Sequence, residues 1–579
     1  MADFIRLQDV TFSYRPGAHA PALTQVSLGI DPGEMVALVG ANGSGKSTLA
    51  RLLNALLLPA AGTVIAAGLD TAAPANHAAI RSRVGLVFQR PQDQIVASTV
   101  EEEIAFGPAN LGLPPREVRQ RVESALETAN LVDLRERHPF FLSAGEAQRL
   151  ALAGVLAMQP QCIIFDESTA MLDPANRAAV MDQVKRLHAQ GITTIFITHL
   201  MHEAAQCGRI IALHQGRIVS DGPPLEVFAK DTLLSDIGLE QPHTYQASRM
   251  LHRLFPSIPP DILREDDLLS ALPKYSGKRA HPSPSHSSAP TIDYTNALIA
   301  VEKLSHSYPR QPPTARSALD QLSFTVAAGG MHALIGVSGS GKSTLLQHLN
   351  ALIRPQSGRV TVGSFDLSSK DLDTRALRRM VALAFQQPED QIFEHYVGDE
   401  IAYGPRNLGY SGKLSEVVRD AMGLVGLDFE SYKDRFTSEL SGGERRKVAL
   451  ASILAIRSDI LLLDEPLAGL DPLARVQVLG LLQGLHHQGK TLLISTHQYE
   501  HLIAACDAVT VMHHGRDVLH GAPGYAFNQQ EALKSAGIIP PFTVRLTQAM
   551  RAQGWPLKAD IIDQTALEKD ITRVIRETI

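Results

Sequence analysis

The 579-residue sequence contains little of what marks secreted, disulfide-linked or membrane-spanning proteins. Three cysteines are too few for a disulfide framework in so long a chain, so we expect a reducing compartment. No apolar run approaches the roughly 18 residues of a membrane span, and the first residues lack the pattern of a secretory signal. The 54 basic and 60 acidic residues nearly balance, which excludes a general attraction to nucleic acid or anionic lipid. Any membrane role is therefore expected to be peripheral.

The sequence contains an internal duplication with a period of almost 300 residues. "GANGSGKST" returns as "GVSGSGKST", "VFQRPQDQI" as "AFQQPEDQI" and "IAFGPANLG" as "IAYGPRNLG". A period this long indicates duplicated domains and not a solenoid. A segment with four prolines and five serines lies between the copies and reads as a linker. The predicted boundaries are a first domain in 1–235 with a C-terminal extension in 236–272, the linker in 273–296, and a second domain in 297–533 with its extension in 534–579.

Both copies contain a glycine-rich loop of the pattern G-x-x-x-x-G-K-[ST], between a strand-like apolar run and a helical run. Such a loop directs backbone N–H groups at phosphate oxygens, and the helix N-terminus adds partial positive charge. We expect the lysine to reach the β- and γ-phosphates of ATP and the next serine to ligate Mg²⁺. The predicted ATP-binding residues are Gly40, Asn42, Gly43, Gly45, Lys46, Ser47 and Thr48, with Gly336, Ser338, Gly339, Gly341, Lys342, Ser343 and Thr344.

Two continuous apolar runs, "CIIFDE" and "ILLLDE", are typical of strands buried in a parallel sheet, and each ends in Asp-Glu. The carboxyl ends of such strands are where α/β sheets bind ligands. The first acid, Asp166 or Asp464, is expected to hold Mg²⁺. The second, Glu167 or Glu465, is expected to accept a proton from the attacking water.

A third strand-like run in each copy ends in a histidine. His199 follows Asp166 by 33 residues, and His497 follows Asp464 by the same 33 residues. A single histidine at a strand end is usually structural. The identical spacing in both copies favours a contact with the γ-phosphate instead.

A short Ser-Gly stretch, "LSAGE" in one copy and "LSGGE" in the other, precedes a helical run in each repeat. The Ser-x-x-Glu spacing predicts a capping box, with Ser143 or Ser441 as N-cap and Glu146 or Glu444 reaching back. A well-capped helix is the simple interpretation. The functional one is an anion site at a helix start with small residues.

These motifs together resemble the ATP-binding cassette (ABC) ATPases, whose Ser-Gly stretch usually reads LSGGQ. The resemblance implies an α/β fold with two tandem P-loop nucleotide-binding domains, each with a mixed sheet, a helical subdomain from about Gln89 to Leu142 and a small C-terminal extension. It also implies a pseudo-dimer within one chain, in which Lys46 faces Ser441 and Lys342 faces Ser143 across shared ATP sites. By the family pattern, further site residues are Gln89 and Gln386 as catalytic and Mg²⁺-binding glutamines, Tyr14 and Tyr308 against adenine, and Ser143, Gly145, Ser441 and Gly443 closing over ATP.

The first repeat departs from the family pattern at two positions. Ala144 replaces the first glycine of the Ser-Gly stretch, and Met171 stands where the second repeat has Gly469. Alanine is costly only where the backbone needs a positive φ. We expect two hydrolytic sites, of which the Lys342–Ser143 site is the slower. For Tyr14 and Tyr308, a role in the core is the alternative to adenine stacking.

The segments that follow Gln89 and Gln386 resemble those of the ATPases of energy-coupling factor (ECF) transporters, which take up vitamins and metal ions. That resemblance implies a transmembrane coupling subunit and a substrate-binding membrane subunit as partners, no nucleic acid, and a peripheral position on the cytoplasmic face of the membrane. The acids expected to pair with an arginine of the coupling subunit are Glu101, Glu102, Glu103, Asp399 and Glu400. An acidic helix start that complements the helix dipole is the alternative. The transported solute is not readable from this chain.

Three other classes of ATPase are alternatives to this interpretation. Fused ATPases of monosaccharide importers commonly carry one degraded half, whereas both glycine-rich loops and both glutamates are intact here. Ribosome-binding double-cassette ATPases join their halves by a long charged helix, and this linker is short and rich in proline and serine. Repair and chromosome ATPases insert a coiled coil before the Asp-Glu pair, and the spacing of 120 residues leaves no room for one.

Overall fold

The computed structural model of the protein describes residues 4–15, 21–170, 172–276, 297–308, 317–386 and 391–578. The chain divides into two compact units, each holding most of one sequence repeat. The units are Met1–Leu268 with Gly469–Leu473, and Leu269–Ala468 with Ala474–Ile579. Among the helices of the described ranges, none combines the length and the apolar character that crossing a membrane requires.

The described part of the first repeat forms ten strands in two sheets. The strands are β1 (Ile5–Phe12), β2 (Leu23–Ile30), β3 (Met35–Val39), β4 (Ala61–Ala66), β5 (Leu69–Asp70), β6 (Val84–Val87), β7 (Cys162–Asp166), β8 (Thr193–Ile197), β9 (Arg209–His214) and β10 (Arg217–Gly222). A four-stranded antiparallel sheet has the order β2-β1-β4-β5. A six-stranded sheet has the order β10-β9-β3-β8-β7-β6, in which only the β9–β10 pair is antiparallel.

The middle of the six-stranded sheet is buried on both faces. Every residue of β3, β7 and β8 is buried, which explains why these strands read as continuous apolar runs. Phe165 on β7 lies opposite Phe196 on β8, with ring centroids 5.8 Å apart. Because these strands are parallel, their carboxyl ends meet at one edge of the sheet, where the candidate site residues lie.

Helices cover the sheets of the first repeat and form a separate layer after β6. They are α1 (Lys46–Leu53), α2 (His77–Arg83), α3 (Val100–Asn110), α4 (Pro115–Thr128), α5 (Ala144–Ala157), α6 (Pro174–Ala189), α7 (Met201–Ala204), α8 (Pro224–Phe228), α9 (Asp231–Asp236), α10 (His243–Leu254) and α11 (Glu265–Ser270). Helices α3, α4 and α5 share a small core that includes Val100, Leu126 and Leu150. This layer is the predicted helical subdomain.

The described part of the second repeat forms a corresponding set of strands and helices. Its strands are β11 (Ala297–His306), β12 (Leu319–Ala327), β13 (Met331–Ile335), β14 (Ser357–Val362), β15 (Phe365–Asp366), β16 (Val381–Ala384), β17 (Ile460–Asp464), β18 (Thr491–Thr496), β19 (Ala508–His513) and β20 (Arg516–Gly521). Its helices are α12 (Lys342–Leu349), α13 (Thr374–Met380), α14 (Val397–Leu408), α15 (Leu414–Leu424), α16 (Phe429–Tyr432), α17 (Gly442–Ala455), α18 (Pro472–His487), α19 (Pro523–Ala526), α20 (Gln530–Ser535), α21 (Phe542–Ala552) and α22 (Gln564–Thr578).

The sheets of the second repeat repeat the strand order of the first. The four-stranded sheet runs β12-β11-β14-β15, and the six-stranded sheet runs β16-β17-β18-β13-β19-β20. This pattern confirms the predicted α/β class with a mixed sheet in each repeat. The domain boundaries stay predictions, and of the linker 273–296 only residues 273–276 fall in the described ranges.

Candidate active site

The glycine-rich loop of the first repeat connects β3 to α1. Gly45 directly precedes α1 with a φ of 104°, and a Cβ there would collide with the Ala22 carbonyl, so this position requires glycine. The buried Lys46 side chain donates from Nζ to the carbonyls of Gly40 (2.9 Å) and Ala41 (3.0 Å). The loop therefore holds its own lysine at the helix N-terminus.

The loop of the second repeat has the same geometry. Gly341 precedes α12 with a φ of 103°, and a Cβ there would meet the Ala318 carbonyl. Lys342 donates from Nζ to the carbonyls of Gly336 (2.7 Å) and Val337 (3.2 Å). A Cβ at Gly43 or at its counterpart Gly339 would meet nothing within 4 Å in either loop. Both loops thus present an open cradle at a helix N-terminus, which fits the phosphates of ATP.

The first acid of each Asp-Glu pair lies beside the serine of the glycine-rich loop. Ser47 Oγ donates to Asp166 Oδ1 at 2.8 Å, and Asp464 is hydrogen-bonded by Ser343 and Ser495. Burial raises the pKa of both aspartates, and the serine hydrogen bonds partly offset that rise. Hydroxyl and carboxylate oxygens this close together form a donor set that suits Mg²⁺.

The second acid of each pair has a left-handed backbone. Glu167 has a φ of 47° and Glu465 a φ of 52°, a region that non-glycine residues seldom adopt. The backbone N–H of Glu167 donates to the Ile197 carbonyl at 3.1 Å, and that of Glu465 donates to the Ser495 carbonyl at 3.0 Å. The turn is therefore tied to the neighbouring strand at both sites, as expected where a structure holds a reactive side chain in a fixed position.

In the first repeat, Glu167 gathers three of the predicted site residues. Gln89 Nε2 donates to Glu167 Oε2 at 3.0 Å, Lys46 Nζ lies 3.5 Å from Oε1, and His199 Nδ1 lies 3.9 Å from Oε2. Burial raises the pKa of the Glu167 carboxyl, while the charge of Lys46 works in the opposite direction. The structure therefore brings together the lysine, glutamine, glutamate and histidine that the sequence predicted.

In the second repeat, Glu465 is bound directly by its histidine. The Nδ1 atom of His497 lies 2.7 Å from Glu465 Oε1, and the His497 backbone N–H donates to Oε2 at 3.2 Å. Burial by itself would raise the pKa of Glu465, but the interactions with His497 and Lys342 outweigh it and lower the pKa. Gln386 is exposed at the end of a described range, and the structure does not bring it to Glu465 through any hydrogen bond among the described residues.

The two tyrosines predicted to contact adenine lie beside the glycine-rich loops. Tyr14 Oη is 3.0 Å from Thr48 Oγ1, and Tyr308 Oη is 3.3 Å from Thr344 Oγ1. Tyr14 is 58% exposed and Tyr308 is 42% exposed. Exposure of this size argues against the alternative that they are core residues, and it leaves one face of each ring accessible to a base.

Both Ser-Gly stretches form the predicted capping boxes. The Ser143 N–H donates to Glu146 (2.7 Å) and the Glu146 N–H to Ser143 Oγ (3.3 Å), and the second repeat matches with 2.8 and 3.3 Å. Ala144 is the first residue of α5 and is absent from the residues with positive φ, so alanine is tolerated there. Met171, the other departure, lies outside the described residues.

The acidic residues predicted to meet a coupling subunit divide into two groups, which corrects part of that prediction. Glu103 is buried and accepts hydrogen bonds from the Val96 and Ala97 N–H groups, both at 2.8 Å. Glu400 is buried in the same way, accepting from Phe393 and Glu394. These two carboxylates are buried and each holds two N–H groups of a preceding loop, so they are not exposed to a partner. Glu101, Glu102 and Asp399 remain as candidates.

A short motif of the second repeat, Gly469-Leu470-Asp471-Pro472, makes a contact that the sequence did not predict. The segment Gly469–Leu473 belongs to the first unit, where the Asn42 N–H donates to Asp471 Oδ2 at 2.8 Å. Asn42 Nδ2 also donates to the Gly469 carbonyl at 3.2 Å. The available signal was that Leu-Asp-Pro recurs in both repeats, its aspartate seven residues after the first acid of the Asp-Glu pair, but this spacing does not reveal a partner so distant in sequence.

Comparison with known proteins adds to this geometry. The family model described as "ABC transporter" matches residues 23–170 and 319–468. A Methanosarcina acetivorans protein named "Putative ABC transporter ATP-binding protein" is 34% identical over 568 residues, covering 95% of this chain and 91% of that protein.

Two further relatives correspond in length to about half of the chain. A Symbiobacterium thermophilum protein named "Energy-coupling factor transporter ATP-binding protein EcfA1" is 50% identical over 43% of this chain and 88% of its own length. A Clostridioides difficile protein of the same name is 43% identical over 47% of this chain and 99% of its own length. With two matched cassettes and a relative of similar length, the chain belongs to the ABC transporter family, as an ATP-binding subunit that hydrolyses ATP.

Proposed function

We propose that this chain supplies both ATPase sites of an energy-coupling factor-type transporter that takes up a vitamin or a metal ion. The observation that carries the proposal is that each repeat retains its glycine-rich loop, Asp-Glu pair and histidine in matching positions. Half-length relatives 43% and 50% identical to this chain are named as ATP-binding proteins of such transporters. An importer with one degraded half does not fit two intact sets.

In each site, the glutamate accepts a proton from water as the water oxygen attacks the γ-phosphorus. The bond from that phosphorus to the bridging oxygen breaks, leaving ADP and phosphate. Lys46 or Lys342 offsets the negative charge of the phosphates, and a buried ammonium does so more strongly than one in water. Mg²⁺, when held by the loop serine and the first acid of the pair, neutralises phosphate charge.

The remaining site residues position the reactants in this proposal. Gln89 orients the Glu167 carboxylate through its 3.0 Å hydrogen bond and contributes an oxygen to the metal site, with Gln386 in the same role. His199 and His497 contact the γ-phosphate. Tyr14 and Tyr308 stack against adenine, for which their exposed faces provide the surface.

Each ATP site is proposed to be completed by the Ser-Gly stretch of the other repeat. Ser143 with Gly145, and Ser441 with Gly443, would close over ATP held at Lys342 and Lys46, respectively. The hydrogen bonds from Asn42 to Asp471 and Gly469, within the first unit, support a contribution of the second repeat to the site at Lys46. Ser441→Arg should then prevent nucleotide trapping at Lys46 more than at Lys342, and Ser143→Arg should do the reverse. Photolabelling with an azido-ATP analogue, followed by peptide mapping, distinguishes the two loops, and equal labelling in both variants would contradict the pairing.

The proposed partners are a transmembrane coupling subunit and a substrate-binding membrane subunit, met at the cytoplasmic face of the membrane. Glu101, Glu102 and Asp399 are not buried, lie at the starts of α3 and α14, and are the proposed partners of a coupling-helix arginine. Glu102 also reaches back to the Thr99 N–H as part of a capping box. Glu101 lies 3.9 Å from Arg135 and Asp399 lies 3.3 Å from Arg406, so each already faces a guanidinium. They are the better test positions because neither forms part of a capping box.

Purification of the tagged full-length chain from detergent-solubilised membranes of its source tests this function. We expect a polytopic membrane protein to be retained in near-stoichiometric amount, and Glu101→Lys with Asp399→Lys to release it. A matched control is Asp371→Lys, which changes an exposed acid outside the helical subdomain. Recovery of ribosomal proteins in place of a membrane protein would contradict the proposal.

The substrate class is tested by reconstituting the co-purified complex in ATP-loaded vesicles. Uptake of labelled vitamins or divalent metal ions is expected, with none of labelled monosaccharides. Monosaccharide uptake would instead identify the competing importer class.

A further inference from the structure

A buried glutamate outside the predicted motifs joins the two loops that carry the catalytic candidates of the first repeat. Glu203 Oε2 accepts a hydrogen bond from Thr198 Oγ1 at 2.6 Å and another from Thr169 Oγ1 at 3.0 Å. Thr198 immediately precedes His199, and Thr169 follows Glu167 by two residues. One carboxylate oxygen thus connects the turn after β7 to the end of β8.

The other oxygen of this carboxylate faces a cation. Glu203 Oε1 lies 3.7 Å from Arg177 Nε, and Arg177 Nη2 donates to the Leu172 carbonyl at 3.1 Å. Leu172 belongs to the same loop as Thr169, so the arginine adds a second connection to that loop. Glu203 is completely shielded from solvent, and a buried carboxylate with these partners is costly to move, because its donors would be left unsatisfied.

The second repeat has replaced this arrangement. His501 occupies the position of Glu203, and Leu467 occupies that of Thr169. Arg475, the counterpart of Arg177, is 2.8 Å from His501 Nε2 through Nη1. In this repeat His497 contacts Glu465 directly at 2.7 Å, whereas the corresponding distance from His199 to Glu167 is 3.9 Å. In the second repeat, where the histidine contacts the glutamate directly, Leu467 and His501 provide neither the hydroxyl nor the carboxylate of this bridge.

We propose that Glu203 is a positioning residue for ATP hydrolysis in the first repeat, holding the Glu167 turn and the His199 strand end in register through Thr169 and Thr198. The inference rests on the proposed roles of Glu167 and His199. Glu203 is too deeply buried to be placed against nucleotide, and it acts only through the two threonines. The second repeat needs no such bridge because its histidine already fixes the glutamate.

Steady-state ATPase measurements on the full chain with Glu465→Gln, which isolates the first site, test the proposal. Glu203→Gln keeps the side-chain shape but removes the charge that both hydroxyls bind. We expect kcat to fall roughly 10–100-fold, since small displacements of catalytic groups have effects of this size, with KM and ATP binding changed by less than about twofold. Thr169→Val, which removes one of the two bonds, should give a smaller loss of kcat.

A double-mutant cycle separates positioning from simple stability. If the bridge acts as a unit, adding Thr169→Val to Glu203→Gln should reduce kcat by less than the product of the two separate effects. The matched control is His501→Gln in a chain with Glu167→Gln, where kcat of the second site should stay within about twofold. Melting temperature and the fraction of chains that bind ATP correct each rate for folded protein.

Two results would overturn the inference. One is an unchanged kcat per folded chain in Glu203→Gln. The other is an equal loss of kcat in His501→Gln, which would show that this position supports both repeats in the same structural way. The proposed function fails separately, if Glu167→Gln in the same background leaves hydrolysis intact. If Glu203→Gln does not fold, Thr169→Val tests the inference by itself. An unchanged kcat in Thr169→Val would then contradict the positioning role of Glu203.

Discussion

The two repeats have nearly identical motifs but hold Glu167 and Glu465, the proposed catalytic glutamates, in different surroundings. In the first, Glu167 is contacted by Gln89, Lys46 and a more distant His199, and burial raises its pKa. In the second, Glu465 is paired closely with His497, and this pairing lowers its pKa. The same pair of residues therefore exists in two arrangements within one chain.

Residues outside the motifs also differ between the repeats. Ile197 of the first repeat corresponds to Ser495 in the second, which donates to Asp464. Glu203 likewise corresponds to His501. Two repeats can therefore share the same motifs while the surroundings of the proposed catalytic acid differ. Those surroundings depend on residues at neighbouring strand ends and in helices.

Replacing both glutamates should have the largest effect, because it removes hydrolysis at both sites and with it any difference between the repeats. Glu167→Gln with Glu465→Gln takes away both proposed proton acceptors while preserving shape. Hydrolysis should fall by roughly 10²–10⁴-fold, with ATP binding retained. Phosphate release and equilibrium binding of a fluorescent ATP analogue measure the two quantities. Undiminished turnover would remove both glutamates from the mechanism.

The variants with a single replaced glutamate should show a difference between the two sites in the pH dependence of ATP hydrolysis. The base must be ionised, so activity falls about tenfold per pH unit once the pH drops below the pKa of the glutamate. The pKa of Glu167 is raised and that of Glu465 is lowered. As the pH falls, the first site should therefore lose activity before the second. The pH profile of kcat/KM for Glu465→Gln, which leaves the first site, should therefore turn down at a higher pH than that of Glu167→Gln. Coincident profiles would contradict the difference.

The two capping boxes should differ more modestly. Glu444 also accepts hydrogen bonds from Tyr432 Oη at 2.7 Å and from Arg435 Nη1 at 3.2 Å. Partial burial would raise the pKa of Glu444, but these two contacts, together with those from Ser441, lower it to about 2. Glu146 accepts from Ser143, and its pKa is lowered without a comparable network. At pH 7, Glu444→Gln should therefore loosen the start of α17 by about 1 kcal/mol, and Glu146→Gln should loosen α5 by less. Amide hydrogen exchange over 441–446 and 143–148 measures both.

Exchanging the one differing residue of the Ser-Gly stretches should have the smallest effect. Ala144 has no positive φ, and a Cβ at Gly442 would meet nothing within 4 Å. Ala144→Gly and Gly442→Ala should each change ATPase activity by less than about twofold, since neither backbone requires glycine. Measuring both exchanges in one assay gives the matched pair. A large loss in Gly442→Ala would show that the alanine is the cause of a slower site.

Much of the site was predictable because its residues lie in short motifs with local physical causes. A glycine-rich loop before a helix must place its lysine and serine at the helix N-terminus, as found for Lys46 and Ser47. Ser-x-x-Glu before a helix must form a capping box, as found at Ser143 and Ser441. The inward orientation of Glu103 and Glu400 was not predictable, because it depends on N–H groups of a preceding loop whose path only the fold defines.

By itself, the sequence determined the duplication and the α/β class, since these follow from repetition and from the spacing of motifs along the chain. It also predicted which residues bind nucleotide. The tertiary structure alone decided which histidine touches its glutamate, which acids are buried and that Glu203 bridges Thr169 and Thr198. The reason is physical: burial, charge and hydrogen bonding at a strand end are set by residues brought together from distant parts of the chain, and spacing contains no record of their distances.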